Sequence, residues 1–286
     1  MKILIIGVRG LLGSSLYFKL KKNFRVFGSS RYYNKNFYKL NLNNRLNIHK
    51  FLTNNNFDVI INTSGLIDVD KCNKNFYMAK KFNTWSIKNL SNELNKVSPK
   101  THLIHFSTDQ VYNNNIAIKS NKETNINISN NYSKSKYLGE LSTDFYKRKT
   151  ILRTNFFGKS LSSIKLSYSD YLIKNLKKKK NIKVPSNIYF SPIHMSYLSY
   201  ILKKIIINKI YGIYNLGSST GLSKYEFSKK IAKINNLSTK YIFPYLSKKK
   251  LHQRPNGTIM CIKKIEKKLK IKIPSLEKSL MNLKSD

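Results

Sequence analysis

Apolar residues near the start of the chain fall into short unbroken runs, separated by stretches with helical spacing. Residues 3–6 form one continuous run that stops at Gly7, the pattern of a strand buried on both faces. Residues 11–22 read as a helix and 24–28 as a second strand. A helix over 45–53, a strand over 58–61, a long helix over 74–96 and a strand over 101–106 continue the alternation. A helix over 132–147 and a strand beginning at 150–152 complete it. Strand and helix thus alternate for about 150 residues, which predicts an α/β fold built on a doubly wound, Rossmann-like parallel sheet.

The later half keeps the alternation but loosens it. A helix over 165–180, a strand over 182–184, a helix over 195–207 and a strand over 212–216 are predicted. Ser223 followed by Glu226 marks a capping-box start to a helix reaching about residue 234. One or two short helices follow Arg254. The expected division is a dinucleotide-binding Rossmann domain over 1–160. Residues 161–286 then supply the remaining sheet elements and, interleaved with them, a smaller C-terminal substrate-binding lobe over the carboxyl edge of the sheet.

Charge changes this picture little. The formal net charge is +41, which taken alone suggests a nucleic-acid or membrane-surface binder. Yet only seven residues are Arg against 47 Lys, and the lysines are spread over nearly every segment. Nucleic-acid surfaces lean on Arg for bidentate contacts. The composition instead reads as drift toward AT-rich codons, with weak salt-sensitive sticking to polyanions as its consequence. No specific nucleic-acid partner is expected. Cys72 and Cys261 form no ligand spacing, so no metal site is expected and a reducing cytoplasm is the expected compartment. The most apolar later stretch is broken by Lys203, Lys204 and Lys209, which argues against a bilayer span.

Gly7, Gly10 and Gly13 make a GxxGxxG turn directly after the first strand. Gly7 suits the tight turn. Gly10, with Leu11 and Leu12 at the helix start, brings backbone N–H groups toward a pyrophosphate, and Gly13 lets helix and sheet pack closely. An acid at the end of the second strand would grip the ribose of NAD. Here that position reads Gly28, Ser29, Ser30, Arg31, and no acid occurs before Asp58. Ser29 and Arg31 suit a 2′-phosphate, so NADPH is the expected cofactor, with NADH as the alternative.

Tyr-x-x-x-Lys, the proton-donating pair of a large oxidoreductase class, occurs six times, starting at Tyr17, Tyr77, Tyr132, Tyr200, Tyr225 and Tyr245. Chance alone would give roughly three, so the pattern by itself selects nothing. Position does select. HFSTDQVY (105–112) lies at the carboxyl end of the predicted fourth strand, where Ser107 and Thr108 offer hydroxyls. Tyr132 opens a helix shortly after it, with Lys136 one turn later on the same face.

Five blocks carry a family resemblance: GVRGLLGSSL (7–16), DVIINTSGLIDVDKC (58–72), HFSTDQVY (105–112), NYSKSKYLGE (131–140) and ILRTNFFG (151–158). With weaker echoes at Ser191-Pro192, at 212–227 and at Arg254-Pro255-Asn256, the whole chain resembles the dTDP-4-dehydrorhamnose reductases of the extended short-chain dehydrogenase/reductase superfamily. The resemblance implies a catalytic triad of Thr108, Tyr132 and Lys136. Hydride from NADPH would reach a sugar ketone while Tyr132 protonates its oxygen, Thr108 orients that oxygen, and Lys136 lowers the phenol's pKa and bonds the nicotinamide ribose. It places Ser64 and Gly65 under the cofactor, and makes Asn83 a structural or water-ordering residue. Asp109, Asn155 and Arg254 would face a nucleotide-sugar substrate in the synthesis of surface-polysaccharide precursors.

Departures from the family lie at Asn41, where relatives often carry an Asp near the adenine, and in 187–196, which lacks acids that relatives often show. The substrate half matches least. Another nucleotide-sugar reductase or an epimerase therefore stays open, as does a non-catalytic NADP-binding subunit resembling the methionine adenosyltransferase β subunit. Homodimeric assembly is left open too.

Overall fold

The computed structural model of the chain describes residues 1–33, 35–113, 122–162, 165–248 and 254–285. Lys249, partner of Tyr245 in one of the six Tyr-x-x-x-Lys pairs, lies outside the described residues. The first half runs β1 (Lys2–Ile6), α1 (Leu11–Leu20), β2 (Arg25–Ser30), β3 (Tyr38–Lys39), α2 (Arg45–Thr53) and β4 (Val59–Asn62). It continues through α3 (Val69–Lys74), α4 (Phe76–Lys80), α5 (Ser86–Val97), β5 (His102–Phe106), α6 (Asn131–Leu141) and β6 (Lys149–Thr154).

Four short strands and two helices follow before the chain returns to the main sheet at its seventh strand. β7 (Phe156–Phe157), α7 (Tyr168–Lys177), β8 (Ile182–Pro185), β9 (Tyr189–Phe190) and β10 (Ile193–His194) precede α8 (Met195–Ile207) and β11 (Gly212–Leu216). The last elements are β12 (Leu222–Ser223), α9 (Lys224–Ile234), β13 (Ile242–Tyr245), β14 (Gly257–Thr258), α10 (Lys263–Leu269) and α11 (Leu276–Leu280).

The main sheet has the order β11-β6-β5-β4-β1-β2-β3, and every pairing in it is parallel. The order reverses between β1 and β4, and ligands of such sheets bind at the carboxyl ends beside that reversal. Strand side chains alternate between faces. Ile3 and Ile5 pack with α1 and α8 on one face, while Leu4 and Ile6 pack with α2 and α5 on the other. The expected doubly wound sheet is therefore present, and Ile3–Ile6 is closed off on both faces. A smaller lobe has its own core, in which Leu172, Val184, Phe190, Phe227 and Leu276 meet. Its sheets pair β8 with β13 and order β12-β9-β14.

Two expected helices differ from prediction, both next to the site. The long helix over 74–96 is instead α3 and α4, a single π turn at Lys81–Trp85, and then α5. Such widened turns recur at functional sites. The helix predicted to reach residue 147 stops at Leu141. Tyr146 is buried and its hydroxyl donates to the carbonyl of Thr101 at 2.5 Å, which pulls the chain off the helical path.

Candidate active site

The turn after β1 is tight for a reason visible in its atoms. Gly7 has φ +83°, and its N–H, with that of Val8, donates to the carbonyl of Ser29 at 3.0 and 3.2 Å. A Cβ on Gly13 would lie 2.3 Å from the carbonyl oxygen of Gly7, so only glycine lets α1 start this close to the turn. α1 is capped by Gly10 with no side-chain hydrogen bond and carries no acid in its first turn. Its N–H groups are left facing outward, an arrangement suited to an anion. Leu12 is buried in the core, so only its backbone can face that anion, while Leu11 is half-buried.

The expected 2′-phosphate pair is corrected in part. Ser29 is fully buried and its hydroxyl has no hydrogen-bond partner, so its side chain cannot reach a bound phosphate. Its carbonyl shapes the glycine turn instead. Arg31 is exposed, bonded to the hydroxyl of Tyr32 at 2.7 Å. Its guanidinium lies over the rings of Tyr32 and Phe82, 4.7 and 4.8 Å from their centroids.

Of the six Tyr-x-x-x-Lys pairs, the one at 132 has both members buried, Tyr132 at 8% exposure and Lys136 at 5%. Tyr77, Tyr200 and Tyr245 stand exposed, and Tyr17 packs against the core with Lys21 over its ring. Tyr132 stands in the first turn of α6 behind the N-cap Asn130, with the hydroxyl of Thr108 near enough to pull the phenol's pKa down. Thr108 lies just past β5 and accepts from the N–H of Gln110 at 3.2 Å. Ser107 is taken up elsewhere, donating to Glu140. That carboxylate is itself gripped by Arg153, with Nε at 3.1 and 3.0 Å and Nη2 at 2.6 Å. This buried pair ties α6 to β6 and so fixes where Tyr132 and Lys136 stand.

Sequence reasoning expected Lys136 to lower the phenol's pKa. The structure reverses that: burial pushes Tyr132 up to about 12, and the opposing pull comes from Thr108 rather than Lys136. The phenol stays protonated at neutral pH, which is the form a proton donor needs. Lys136 is itself lowered to about 8, by burial first, with Glu140 acting the other way. Its ammonium donates to the carbonyl of Phe106 at 2.7 Å.

Two further residues, given no site role by sequence reasoning, Asn62 and His105, stand behind this lysine. Asn62 Oδ1 accepts from the N–H and hydroxyl of Ser64 at 3.0 and 2.6 Å, so its amide nitrogen faces Nδ1 of His105, at 3.2 Å. Nδ1 must then accept, leaving the ring proton on Nε2, which points at Lys136 Nζ 3.5 Å away. An N–H aimed at an ammonium disfavours it and steers the lysine's protons elsewhere. Burial, then Lys136, keeps His105 well below its usual pKa and therefore neutral.

Asn83 sits in the π turn and clamps the loop after β4 to α6. It accepts from Leu66 N–H at 2.8 Å and donates to Leu66 O and Ser135 Oγ, both at 2.9 Å. Gly65 is exposed beside it, and a Cβ there would meet Asn83 Oδ1 at 2.8 Å and Lys136 Nζ at 4.0 Å. Asp68 caps α3 and Asp70 lies in its first turn, which accounts for both acids structurally.

Asp109 is buried and bonded to Asn155 Nδ2 and Thr258 Oγ1, both at 2.9 Å. Burial raises its pKa, against the pull of Asn155, Thr258, Lys224 and Thr108. Asp109 and Asn155 are thus together, next to Thr108, while Arg254 is exposed at the lead-in to β14. Lys224, half-buried nearby, carried no signal in the sequence beyond one lysine among many. Among the described residues no cluster of His, Cys, Asp and Glu could hold a metal, and no helix is long and apolar enough to cross a membrane.

A family model described as the RmlD substrate binding domain matches residues 1–285. No curated protein matches the chain. Among solved structures, a dTDP-4-dehydrorhamnose reductase from Bacillus anthracis in complex with NADP has a TM-score of 0.89 at 22% identity, covering 99% of this chain and 98% of that one. A dTDP-4-dehydrorhamnose reductase from Clostridium acetobutylicum has a TM-score of 0.87 at 24% identity, covering 100% and 99%. The UDP-glucose 4-epimerase of Thermotoga maritima, with UDP-glucose, follows at 0.83 and 17%, covering 98% and 96%. At these identities the structural likeness concerns the fold.

Proposed function

The chain belongs to the RmlD substrate binding domain family, and from that premise we propose that it is an NADPH-dependent reductase of a nucleotide-linked 4-keto-6-deoxy sugar, serving the synthesis of surface-polysaccharide precursors. The observation that carries this reading is the meeting of buried Thr108, Tyr132 and Lys136 at the carboxyl end of β5.

The residues present fit the dinucleotide. The uncapped, acid-free start of α1 suits a pyrophosphate, held by the backbone of Gly7, Gly10, Leu11, Leu12 and Gly13. Ser64 and Gly65 would line its path, and exposed Arg31 favours a 2′-phosphate, hence NADPH over NADH. When bound, NADPH supplies the hydride. Tyr132, protonated at neutral pH and held more firmly so by burial, gives its proton to the carbonyl oxygen. Thr108 orients that oxygen with its hydroxyl. Lys136, as an ammonium below about pH 8, would hold the nicotinamide ribose. Asp109 and Asn155, bonded to each other, would shape the sugar pocket beside Thr108, and Arg254 would meet the charged end of the substrate.

The test mixes purified protein with NADPH and dTDP-4-keto-6-deoxy sugar and follows absorbance at ~340 nm. Tyr132→Phe should be slower by at least about 10²-fold, the usual worth of a general acid. Equal rates for wild type and variant would defeat the assignment.

A further inference from the structure

β4 and β5 run parallel, and their register sets Asn62, the last residue of β4, opposite His105. Both are buried, at 1% and 2% exposure. Buried polar atoms must be satisfied by their neighbours. A backbone N–H can only donate, and that of Ser64 points at Asn62 Oδ1 at 3.0 Å, with the Ser64 hydroxyl beside it at 2.6 Å. The amide of Asn62 is therefore fixed in one orientation, with Nδ2 3.2 Å from Nδ1 of His105. Nδ1 accepts, and the ring proton is confined to Nε2, 3.5 Å from Lys136 Nζ.

What this proton does depends on the charge of Lys136. An ammonium has protons to give and no lone pair. One of them goes to the carbonyl of Phe106 at 2.7 Å. The imidazole presents N–H rather than a lone pair, so it offers no acceptor for a second. The side left to the remaining protons is the loop after β4, where a Cβ on Gly65 would lie 4.0 Å from Nζ. An uncharged amine does have a lone pair, and Nε2–H can donate to it. His105 thus favours the neutral lysine, while Glu140, one turn along α6 and itself held by Arg153 at 2.6 Å, favours the charged one. Of the other ionisable groups packed around α6, Asp109 and Cys72 act on Tyr132, and Lys80 of α4 lies over the rings of Phe76 and Trp85.

We propose that His105 is a positioning residue for Lys136: Asn62 locks its proton on Nε2, and that proton turns the ammonium away from β5 and toward the loop of Ser64 and Gly65. The same Ser64 that would line the cofactor's path holds the Asn62 amide. One series of hydrogen bonds therefore sets both the loop under the cofactor and the tautomer of the histidine. A ring protonated on Nδ1 would do the opposite, drawing an ammonium proton onto Nε2 and off the nicotinamide ribose. The task given to the aimed ammonium rests on the reading of the chain as an NADPH-dependent reductase.

Nitrogen NMR of the whole protein with labelled histidine tests it, since the chain has five histidines and His105→Gln identifies the resonances of this one. Wild type should carry the proton on Nε2 and none on Nδ1, and the Nε2 resonance should move as Lys136 loses its proton at about pH 8. Asn62→Asp keeps an acceptor for Ser64 but replaces the Nδ2 donor by a carboxylate oxygen, so the ring proton should shift to Nδ1. NADPH affinity, read by its fluorescence, should fall about tenfold in wild type from about pH 7 to about pH 9.5, and less than about threefold in Asn62→Asp, whose ammonium persists. A wild-type ring protonated on Nδ1 overturns the proposal, as does an Nε2 resonance indifferent to the lysine, and these two outcomes decide it even where Asn62→Asp does not fold. A moved proton with the wild-type pH dependence also overturns it. So does an altered pH dependence with the proton still on Nε2, because the added charge would then act through space. Wild-type protein that binds no NADPH, with Nε2–H present and following Lys136, would instead sink the cofactor reading and leave the placing of the lysine standing.

Discussion

Tyr132 and Lys136 are four residues apart on one helix, yet burial moves them in opposite directions, the phenol up to about 12 and the ammonium down to about 8. Both shifts follow from one cause, since burial disfavours whichever form is charged. The phenol's working form therefore survives across the neutral range. The lysine's does not: its pKa is depressed below the usual lysine value, so the ammonium is present below about 8 and lost as pH rises through it. On the proposed mechanism kcat should fall above about pH 8. A kcat flat to pH 10 would contradict the role of Lys136. Lys136→Ala should cost at least about 10²-fold in kcat/KM. Lys134→Ala should change it less than about twofold, because Lys134 is exposed and only overlies the Phe76 ring at 5.4 Å. Equal effects would return NYSKSKY to coincidence. Position in the chain pointed to this pair, whereas His105 and Asn62 reach it through neighbours distant in sequence, which no local pattern displays.

At the scale of elements, α6 is placed by what it touches. A Cβ on Gly139 would lie 2.3 Å from the carbonyl oxygen of Asn83, so the helix packs directly on the backbone of the π turn. Gly139→Ala gains about 0.5–1 kcal/mol in helix propensity. Forcing a methyl against backbone costs about 1–3 kcal/mol, so the clash wins. Chemical denaturation should show a net loss of about 1–2 kcal/mol, and reductase activity should drop with it, because Tyr132 and Lys136 shift as one piece. A stabilised variant would refute this packing. The alternation of apolar runs was enough to place six of the seven strands of the main sheet and most of its helices; the two-residue edge strand β3, exposed at Tyr38 and Lys39, carries no apolar run. It missed the π turn, because the widened turn is set by backbone bonding and by the bonds of Asn83 to Leu66 and Ser135, neither of which residue type alone displays. It overran α6 because Tyr146 leaves the helix for a tertiary bond to Thr101.

Across the whole molecule, a charge of +41 with 13 acids leaves most cations without a partner of opposite sign. Like-charge repulsion then weakens the compact state, and salt screens it. Raising NaCl from about 0.05 to about 0.5 M should raise the melting temperature and weaken any adhesion to nucleic acid. A melting temperature that falls over that range would mean that attractive pairs, such as the buried Arg153–Glu140 contact, outweigh the repulsion.

Taken by itself, the sequence determined the class of sheet, the glycine turn and the address of Tyr132, Lys136 and Thr108, because each is written in spacing along one segment. Tertiary structure alone decided which side chains face inward at that address. It closed Ser29 off, raised the phenol instead of lowering it, set the His105 proton against Lys136, and brought Lys224 from the far lobe to Asp109. Those outcomes depend on burial and on pairs of residues far apart in the chain, and burial is a property of the packed molecule rather than of any stretch of it.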